Sequence, residues 1–238
     1  MSMTLLGLCQ AFAKRTGLPT SSSVEASPTF QQLAGLLQEV LDDLVTTYSF
    51  QELTVEAQFT TVAALSQGAL SSIAPLGFLR IRPKTFFNRT TGLEVPGPLT
   101  PTEAQALRTQ PQTGPISWYR IAGGQLRLDP VPAAGQLCAF EYMSSFAVVG
   151  PAPGLAPKQY PTEDGDTFLL PDQLLLAGLR WRWKAEKGFD YAEEFAAYQL
   201  LAKSLAANSE AGRPLQLDGQ YPSARPGIVV PSGTWISP

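Results

Sequence analysis

The spacing of apolar residues changes twice along the chain, and this change limits the folds that the sequence can adopt. Near both ends, apolar residues recur at the period of an amphipathic helix. Between these ends, residues 51–146 carry many Pro and Gly residues and short alternating runs, which are typical of strands and turns. The sequence therefore predicts an α+β protein, in which a helical bundle from both chain ends carries an inserted antiparallel β-rich domain.

Two helices are predicted before residue 50. Residues 4–16 place apolar side chains, including that of Cys9, on one face and meet a helix-stop signal at Gly17. A stronger helix opens with Ser27 as the N-cap and Pro28 at the first helical position. Its apolar residues follow at helical spacing: Phe30, Leu33, Leu37, Val40, Leu44 and Tyr48. We expect this second helix to be buried along one broad side.

The middle of the chain predicts short antiparallel strands. Residues 117–121 and 125–129 flank a Gly-Gly turn and form the clearest hairpin. Residues 137–143 are predicted to return as the third strand of a meander. A short helix that opens with a capping box, Thr100 and Glu103, is expected to cover an edge or an end of the sheet.

Helical spacing resumes after Pro171. Residues 171–188 and 190–208 predict an antiparallel helical hairpin, whose first helix is apolar on more than one side. The chain then continues into residues 212–238, where nine of 27 positions are Gly or Pro, so no helix is expected there. At about 3.3 Å per residue this segment can extend on the order of 90 Å. Its apolar anchors favour an extended docking arm, and a disordered tail is the alternative.

These patterns divide the chain into five parts in sequence order. The parts are N-terminal bundle helices (residues 1–50), a β-rich insertion (51–150), a linker loop (151–170), a C-terminal helical hairpin (171–211) and the extended C-terminal docking arm (212–238).

The residues that the chain lacks exclude several kinds of chemistry. The 238 residues include no His, which excludes Ser-His-Asp and Cys-His nucleophilic sites, HExxH zinc sites and a His general base. Only 16% of the residues are charged and 44% are hydrophobic, so we expect a folded chain whose surface meets other protein. A net charge of −3 argues against ordinary nucleic-acid binding, because phosphate affinity comes from clustered Lys and Arg.

The acidic residues form no convincing catalytic pair. Asp42 and Asp43 are adjacent on a helix and point in different directions, and Glu52 and Glu56 flank a turn, so solvated surface is their expected role. The acidic loop at residues 163–166 lacks the spacing of a calcium loop and is interpreted as a polar turn. We therefore predict no catalytic site, no metal and no cofactor. An enzyme with a carboxylate-only or metal site is an alternative for which the sequence shows no location.

The cysteines and the first residues bear on the compartment. Cys9 and Cys138 lie far apart and form no CxxC pair, which favours a reducing compartment. The first residues lack the basic region and cleavage site of a signal peptide. No segment reaches the roughly 20 apolar residues that cross a bilayer. We therefore expect a soluble protein inside a cell and no membrane partner.

Two basic, aromatic stretches are candidates for contacts with partners. The first consists of Arg80, Arg82, Lys84, Phe86, Phe87 and Arg89. It is interpreted as a charged strand edge or a subunit contact, with nucleic-acid binding as the alternative. The second consists of Arg180, Trp181, Arg182, Trp183 and Lys184. Because Trp and Arg are enriched at interface hot spots, a subunit interface is one interpretation, and core tryptophans beside solvated arginines are the other.

Three stretches, taken together, resemble a known family. They are LCQAFAKRTGLP near the start, GPISWYRIAGGQLRLDPVPAAGQLCAFEYMSS in the middle, and FLLPDQLLLAGLRWRWKAEKGFDYAEEFAAYQLLA after it. In their order and spacing they resemble the head-to-tail adaptor proteins of tailed bacteriophages, also called head-tail connector or gateway proteins, particularly those of short-tailed phages. The resemblance covers nearly the whole chain.

The resemblance implies a structural virion protein at the head-tail junction, synthesised in the cytoplasm of the bacterial host. It implies a homo-oligomeric ring, usually of twelve copies, that binds beneath the portal protein and carries a tail or nozzle protein below. Double-stranded DNA would pass through the lumen without sequence-specific binding, which suits a net negative charge.

Candidate contact residues follow from both arguments. In the portal-docking arm that the resemblance implies they are Arg213, Arg225, Ile228, Val230, Trp235 and Ile236. At the subunit interface that the Trp and Arg enrichment suggests they are Arg180, Trp181, Arg182 and Trp183. A ligand- or carbohydrate-binding β module is the alternative function, suggested by Trp118, Tyr119 and Tyr142.

Overall fold

The computed structural model describes residues 2–109, 116–152 and 154–209. Six helices and three antiparallel sheets make up this part of the chain, which confirms the predicted α+β class. None of the helices described is long and apolar enough to cross a membrane. The docking arm predicted at residues 212–238 lies outside the described residues.

The N-terminal helices are α1 (Leu5–Thr16) and α2 (Pro28–Thr47), close to their predicted bounds. At the start of α1 the Thr4 hydroxyl accepts a hydrogen bond from the N–H of Gly7 at 3.1 Å. Gly17 ends the helix with a φ of 71°, a left-handed conformation that glycine adopts without strain. The buried face of α2 contains Phe30, Leu33, Leu36, Leu37, Val40, Leu41, Leu44 and Val45.

The C-terminal helices are α5 (Asp172–Glu186) and α6 (Ala192–Ser209), and they form the predicted hairpin. Helix α5 packs against α1, α2 and α6, so it is the central helix of the bundle. Leu174, Leu175 and Leu179 of α5 are fully buried in a core that they share with α1 and α2. This arrangement explains why the α5 sequence is apolar on more than one side.

Gly178 allows α5 to approach two neighbouring helices closely. A Cβ atom at this position would lie 2.5 Å from Cγ1 of Val40 on α2 and 3.2 Å from Cε2 of Tyr198 on α6. Both distances are shorter than an ordinary carbon–carbon contact of about 3.5–4.0 Å. Only a residue without a side chain therefore fits where these three helices meet.

The main sheet of the β-rich part is centred on β8 (Leu137–Ser144). Strand β1 (Thr54–Thr60) pairs antiparallel with β8 along its whole length. Strands β3 (Phe78–Ile81) and β4 (Phe87–Asn88) also pair with β8, and β5 (Leu93–Glu94) extends the sheet through β4. A 3₁₀ turn at residues 51–53 joins α2 to this sheet.

The predicted hairpin consists of β6 (Trp118–Ala122) and β7 (Gln125–Asp129). Strand β7 pairs on its other side with β2 (Ser66–Ala69), which leads into the short helix α3 (Leu70–Ile73). Because β8 pairs with β1, β3 and β4 and lies in another sheet, the predicted meander is wrong.

The pairing of β8 explains why the meander does not form. Strand β1 takes one edge of β8 along its whole length, and β3 and β4 share the other edge, so neither edge is free for β7. Cys138, Phe140 and Tyr142 of β8 enter the core of the β-rich part, whereas Met143 enters the core of the bundle.

Helix α4 (Pro101–Thr109) forms where the capping box predicts it. The Thr100 N–H donates to Oε2 of Glu103 at 2.8 Å, and the Glu103 N–H donates to Oγ1 of Thr100 at 3.3 Å. Arg108 Nε lies 3.6 Å from a carboxylate oxygen of Asp129, which ties α4 to the end of β7. The helix therefore lies beside one end of the hairpin.

The chain returns from the sheet to the bundle through a second strand pair. Strands β9 (Val148–Val149) and β10 (Thr167–Phe168) are antiparallel neighbours, the first just before the predicted linker loop and the second near its end. Val148, Phe168 and Leu170 are buried in the core of the bundle. This pair therefore holds both ends of the linker at the bundle.

We expect Gly178→Ala to destabilise the protein by about 1–3 kcal/mol, because the added methyl group would push the stiff, β-branched Val40 out of its packed position. Gly35→Ala on the exposed side of α2 is the matched control, since nothing lies within 4 Å of a Cβ atom there. That change should be neutral or stabilising by up to about 1 kcal/mol. Urea unfolding of both variants measures the difference, and equal effects would contradict the close helix approach.

Candidate interaction surfaces

Trp181 and Arg182, two of the four interface candidates on α5, join α5 to neighbouring helices of the same chain. The Trp181 ring is half-buried, and its centroid lies 4.9 Å from that of Phe195 and 6.0 Å from that of Tyr198. The Arg182 guanidinium carbon lies 4.7 Å from the Trp181 ring centroid, and its Nη1 donates to Glu39 at 2.7 Å. These two side chains join α5 to α6 and α2, which matches the core interpretation of this stretch.

The other two candidates, Arg180 and Trp183, line a surface groove of about 400 Å³ over α5. The groove is lined by Phe12, Arg15, Thr16, Leu176, Arg180, Trp183, Lys184 and Phe189. The Trp183 ring packs edge-on against Phe12, with centroids 5.9 Å apart. Phe189 is 63% exposed at the end of the groove. The groove therefore offers an apolar aromatic surface to a partner.

The rim of this groove is cationic. Among the described residues that line it, Arg15, Arg180 and Lys184 are charged and no carboxylate occurs. Just outside, Lys184 donates a hydrogen bond to Glu194, and Arg180 lies 3.4 Å from the same oxygen. The Lys184 bond and the Arg180 charge hold the pKa of the Glu194 carboxyl below its usual value. One carboxylate beside three cations leaves the rim positive.

The face of α6 that points away from the bundle is less polar than most exposed helix faces. Tyr198 and Ala202 lie on the opposite face and are buried. The exposed positions on the outer face are Glu193, Ala196, Ala197, Leu200, Lys203, Ser204 and Ala207. Leu200 is 72% exposed near the middle of this face. Helical periodicity predicts only the buried stripe of α6. The exposed Leu and Ala residues of the outer face could have been noticed in the sequence because apolar residues occur all around this helix.

The basic stretch on β3 and β4 mainly joins parts of the same chain. Arg80 donates to the carbonyl oxygens of Thr46 and Tyr48, each at 3.2 Å, at the carboxyl end of α2. Helix carboxyl ends carry unpaired carbonyl groups and partial negative charge, so a cation is favourable there. Arg89 pairs with Glu56 at 2.5 Å on the sheet surface.

The phenylalanines of this stretch differ in their environment. Phe86 is buried in the core of the β-rich part, whereas Phe87 is 37% exposed. Together with the Arg80 contacts, this favours the strand interpretation of the stretch over a nucleic-acid surface.

The acidic residues considered for catalysis have structural partners. Asp42 accepts a hydrogen bond from the hydroxyl of Tyr160 at 2.9 Å, and Asp43 accepts one from the hydroxyl of Tyr198 at 3.0 Å. Burial and the Asp43 charge raise the pKa of Tyr198, so its proton remains in this bond. Asp43 therefore connects α2 to α6, which differs from the solvated role expected for it.

The acidic loop before β10 secures the start of α1. The backbone carbonyls of Asp166 and Asp164 accept hydrogen bonds from the N–H groups of Leu5 at 2.7 Å and Leu6 at 3.1 Å. These N–H groups lack partners within the helix. The Asp164 carboxylate also accepts from the N–H of Val24 at 3.1 Å. The loop therefore does more than the polar turn expected from its sequence, because it caps a helix from the other end of the chain.

The Asp166 carboxylate is fully buried and holds this loop in shape. It pairs with Lys158 Nζ at 2.8 Å and accepts hydrogen bonds from the N–H groups of Thr162 at 2.6 Å and Glu163 at 2.8 Å. Burial opposes its ionisation, but the bonds from Lys158, Glu163 and Thr162 outweigh burial and hold its pKa below the usual value. Within the described part of the chain, no three His, Cys, Asp or Glu side chains are placed to hold a metal.

The cysteines and two of the three candidate stacking aromatics are core residues, whereas Trp118 is partly exposed. Cys9 and Cys138 are free and lie in different cores. Burial, with the charge of Asp164, raises the pKa of Cys9 to about 12, and burial raises that of Cys138 to about 11, so both remain thiols. Tyr119 is 4% exposed and Tyr142 is 1% exposed. These two rings therefore do not form the stacking surface that a carbohydrate-binding module needs.

We expect Asp166→Asn to lower the free energy of unfolding at pH 7 by about 1–3 kcal/mol, because the neutral amide cannot pair with Lys158. The folded pKa of Asp166 is lowered. Its contribution is therefore present above the unfolded pKa of about 3.9 and is lost as the pH falls through the folded pKa. Urea unfolding at pH 7 and at about pH 3 should show the variant and the wild type converging in acid. Glu163→Gln, at an exposed position of the same loop, is the control and should stay within about 0.5 kcal/mol. A difference for Asp166→Asn that stays constant with pH would contradict this role.

Comparison with known proteins gives one family. The family model described as SU10 adaptor protein matches residues 3–226 of the chain. No curated protein matches the sequence.

Proposed function

The chain belongs to the SU10 adaptor protein family, and from this premise we propose that it is a structural bacteriophage protein that forms a ring between the portal and the tail. The observation that carries the proposal is the family match over residues 3–226, which includes both halves of the bundle and the whole β-rich part. The proposed position is the head-tail junction of the virion, after synthesis in the cytoplasm of the bacterial host. A structural adaptor of this kind needs no catalytic site.

The exposed apolar surfaces support association with other protein. Phe189 and Leu200 are two of the most exposed large apolar side chains in the described residues, and both lie in the C-terminal hairpin. Contiguous exposed apolar surface, such as the groove that Trp183 and Phe189 line, is typical of interaction sites. We assign Arg180 and Trp183 to the contact between subunits, while Trp181 and Arg182 fix the helix that presents them. A Trp in a partly closed groove is the type of residue that dominates interface energies.

The segment at residues 212–238 is proposed to dock on the portal. Its contact residues would be Arg213, Arg225, Ile228, Val230, Trp235 and Ile236, all outside the described residues. The described chain ends at Ser209, whose hydroxyl accepts from the Gln51 N–H at 2.6 Å and donates to Glu52 at 2.8 Å. The described chain therefore ends where the bundle meets the β-rich part, at the opposite end of α6 from Phe189.

The remaining partners follow from the adaptor role. A ring, usually of twelve copies in similar proteins, would receive the tail or nozzle protein on the side away from the portal. Its lumen would continue the DNA channel, and a net charge of −3 is compatible with passage, because a strongly basic lumen would bind the phosphate backbone tightly.

We expect the full-length chain, mixed with the cognate portal, to form a complex with one ring of the chain on each portal ring. Native mass spectrometry gives the number of copies, and electron microscopy gives their arrangement. The chain with an unrelated portal is the control. A chain that stays monomeric at 25.6 kDa and unbound in the presence of its own portal would contradict the proposed function.

We expect Trp235→Ala to weaken portal binding by about tenfold or more, because a buried aromatic anchor is a typical hot spot. Ser237→Ala, two positions further along the same segment, should leave the affinity unchanged. Deletion of residues 212–238 should abolish binding while the circular dichroism of the bundle is kept. Binding of the deleted chain with unchanged affinity would show that the arm does not dock on the portal.

A further inference from the structure

The outer face of α6 and the groove over α5 are complementary in shape. The α6 face has one large projecting side chain, Leu200, which is 72% exposed. Its neighbours on this face include Ala196, Ala197 and Ala207, whose small side chains let another surface come close to the helix. The groove has about 400 Å³ of space with apolar residues along its length. A ridge with a branched apolar side chain and an apolar groove are thus present on the same chain.

One end of the α6 face is complementary in charge to the groove rim. Glu193 is the acidic residue of the exposed α6 face, two turns or about 10 Å before Leu200, and Lys203, one turn after Leu200, is its basic residue. The groove rim carries Arg15 and Arg180, of which Arg15 is exposed and the Arg180 side chain is 63% exposed. A carboxylate at one end of the ridge therefore meets cations at the rim of the groove. Opposite charges at an interface fix the register in which the surfaces meet.

The α6 face cannot fill the groove of its own chain. Tyr198 and Ala202 attach α6 to the bundle and are buried, so the face that carries Leu200 points away from α5. The groove opens over α5 beside Phe12 and Trp183. The occupant of each surface must therefore be another molecule. Because the same chain carries both the α6 ridge and the α5 groove, a second copy of the chain provides a partner for each surface.

We infer that the outer face of α6 in one copy docks into the α5 groove of the next copy, with Leu200 against Trp183 and Phe189 and with Glu193 beside Arg15 and Arg180. This inference rests on the proposed function only in taking the partner to be another copy of the chain. The contact joins two different surfaces and is therefore head-to-tail, which closes into a ring or continues as a filament.

The first test replaces the projecting side chain. Leu200→Asp should weaken self-association by about tenfold or more, because it places a charge in the apolar groove. Val131→Asp is the matched control, since Val131 is an exposed apolar residue of the β-rich part, at 52% exposure. It should assemble like the wild type. Mass photometry over a concentration series, with and without portal, gives the self-association, and thermal unfolding shows that both variants are folded.

The second test exchanges the charges. Glu193→Lys and Arg15→Glu should each weaken self-association by several-fold, because each brings like charges together across the contact. The double variant should recover much of the wild-type association. Recovery requires the two side chains to face each other between copies, which a general loss of stability would not produce.

The outcomes separate this inference from the proposed function. If the wild type assembles on the portal and Leu200→Asp assembles equally well, the interface is elsewhere and only the inference fails. The inference likewise fails if the wild type binds the portal without contacts between copies. It also fails if Leu200→Asp loses only the binding of a tail protein and keeps self-association. If the wild type neither binds the portal nor self-associates, both fail. The inference is supported if Leu200→Asp loses self-association and the charge-exchanged double variant recovers it.

Discussion

The packing of α5 against helices from both halves of the chain is the contact on which the rest of the structure depends. The β-rich part separates α2 from α5 in sequence, yet Gly178 lets Val40 and Tyr198 approach the α5 backbone closely. This contact brings the two ends of the β-rich insertion to the same side of the bundle. Strand β8 then contributes Met143 to the bundle core and Phe140 to the other core, so the two parts share one strand.

Charged side chains also join distant elements around this junction, and their use there reduces the number of charges on the exposed surface. Arg80 binds the carboxyl end of α2, Asp166 holds the loop that caps α1, and Arg182 joins α5 to Glu39. Each makes a partly buried contact between elements that are far apart in sequence. In a chain with 16% charged residues, such contacts leave fewer charges for the exposed faces. The outer face of α6, on which Glu193 and Lys203 are the charged residues, is consistent with this distribution.

The sequence predicts the helices well, because their signals are local. The Pro28 start of α2, the Thr100–Glu103 capping box and the Gly17 stop all act within one or two turns, and each lies where predicted. The predicted pairing of β8 was wrong, because strand pairing depends on cores formed by distant residues. The roles of Asp43 and Asp164 also depend on distant partners, Tyr198 and Val24, which no local pattern indicates. The arm residues lie outside the described part of the chain, so their role stays a prediction.

The inferred head-to-tail contact gives Trp181 a role that neither interpretation of the sequence anticipated. A head-to-tail contact closes into a ring only if the angle between the groove and the ridge is constant from copy to copy. In the inferred contact the groove combines residues of α5 and α1 and the ridge belongs to α6, so the packing of α5 against α6 contributes to that angle. Trp181 lies at this junction, against Phe195 and Tyr198 and beneath Arg182. In that contact its side chain would hold the two docking surfaces in position from inside one subunit, without contacting the neighbour.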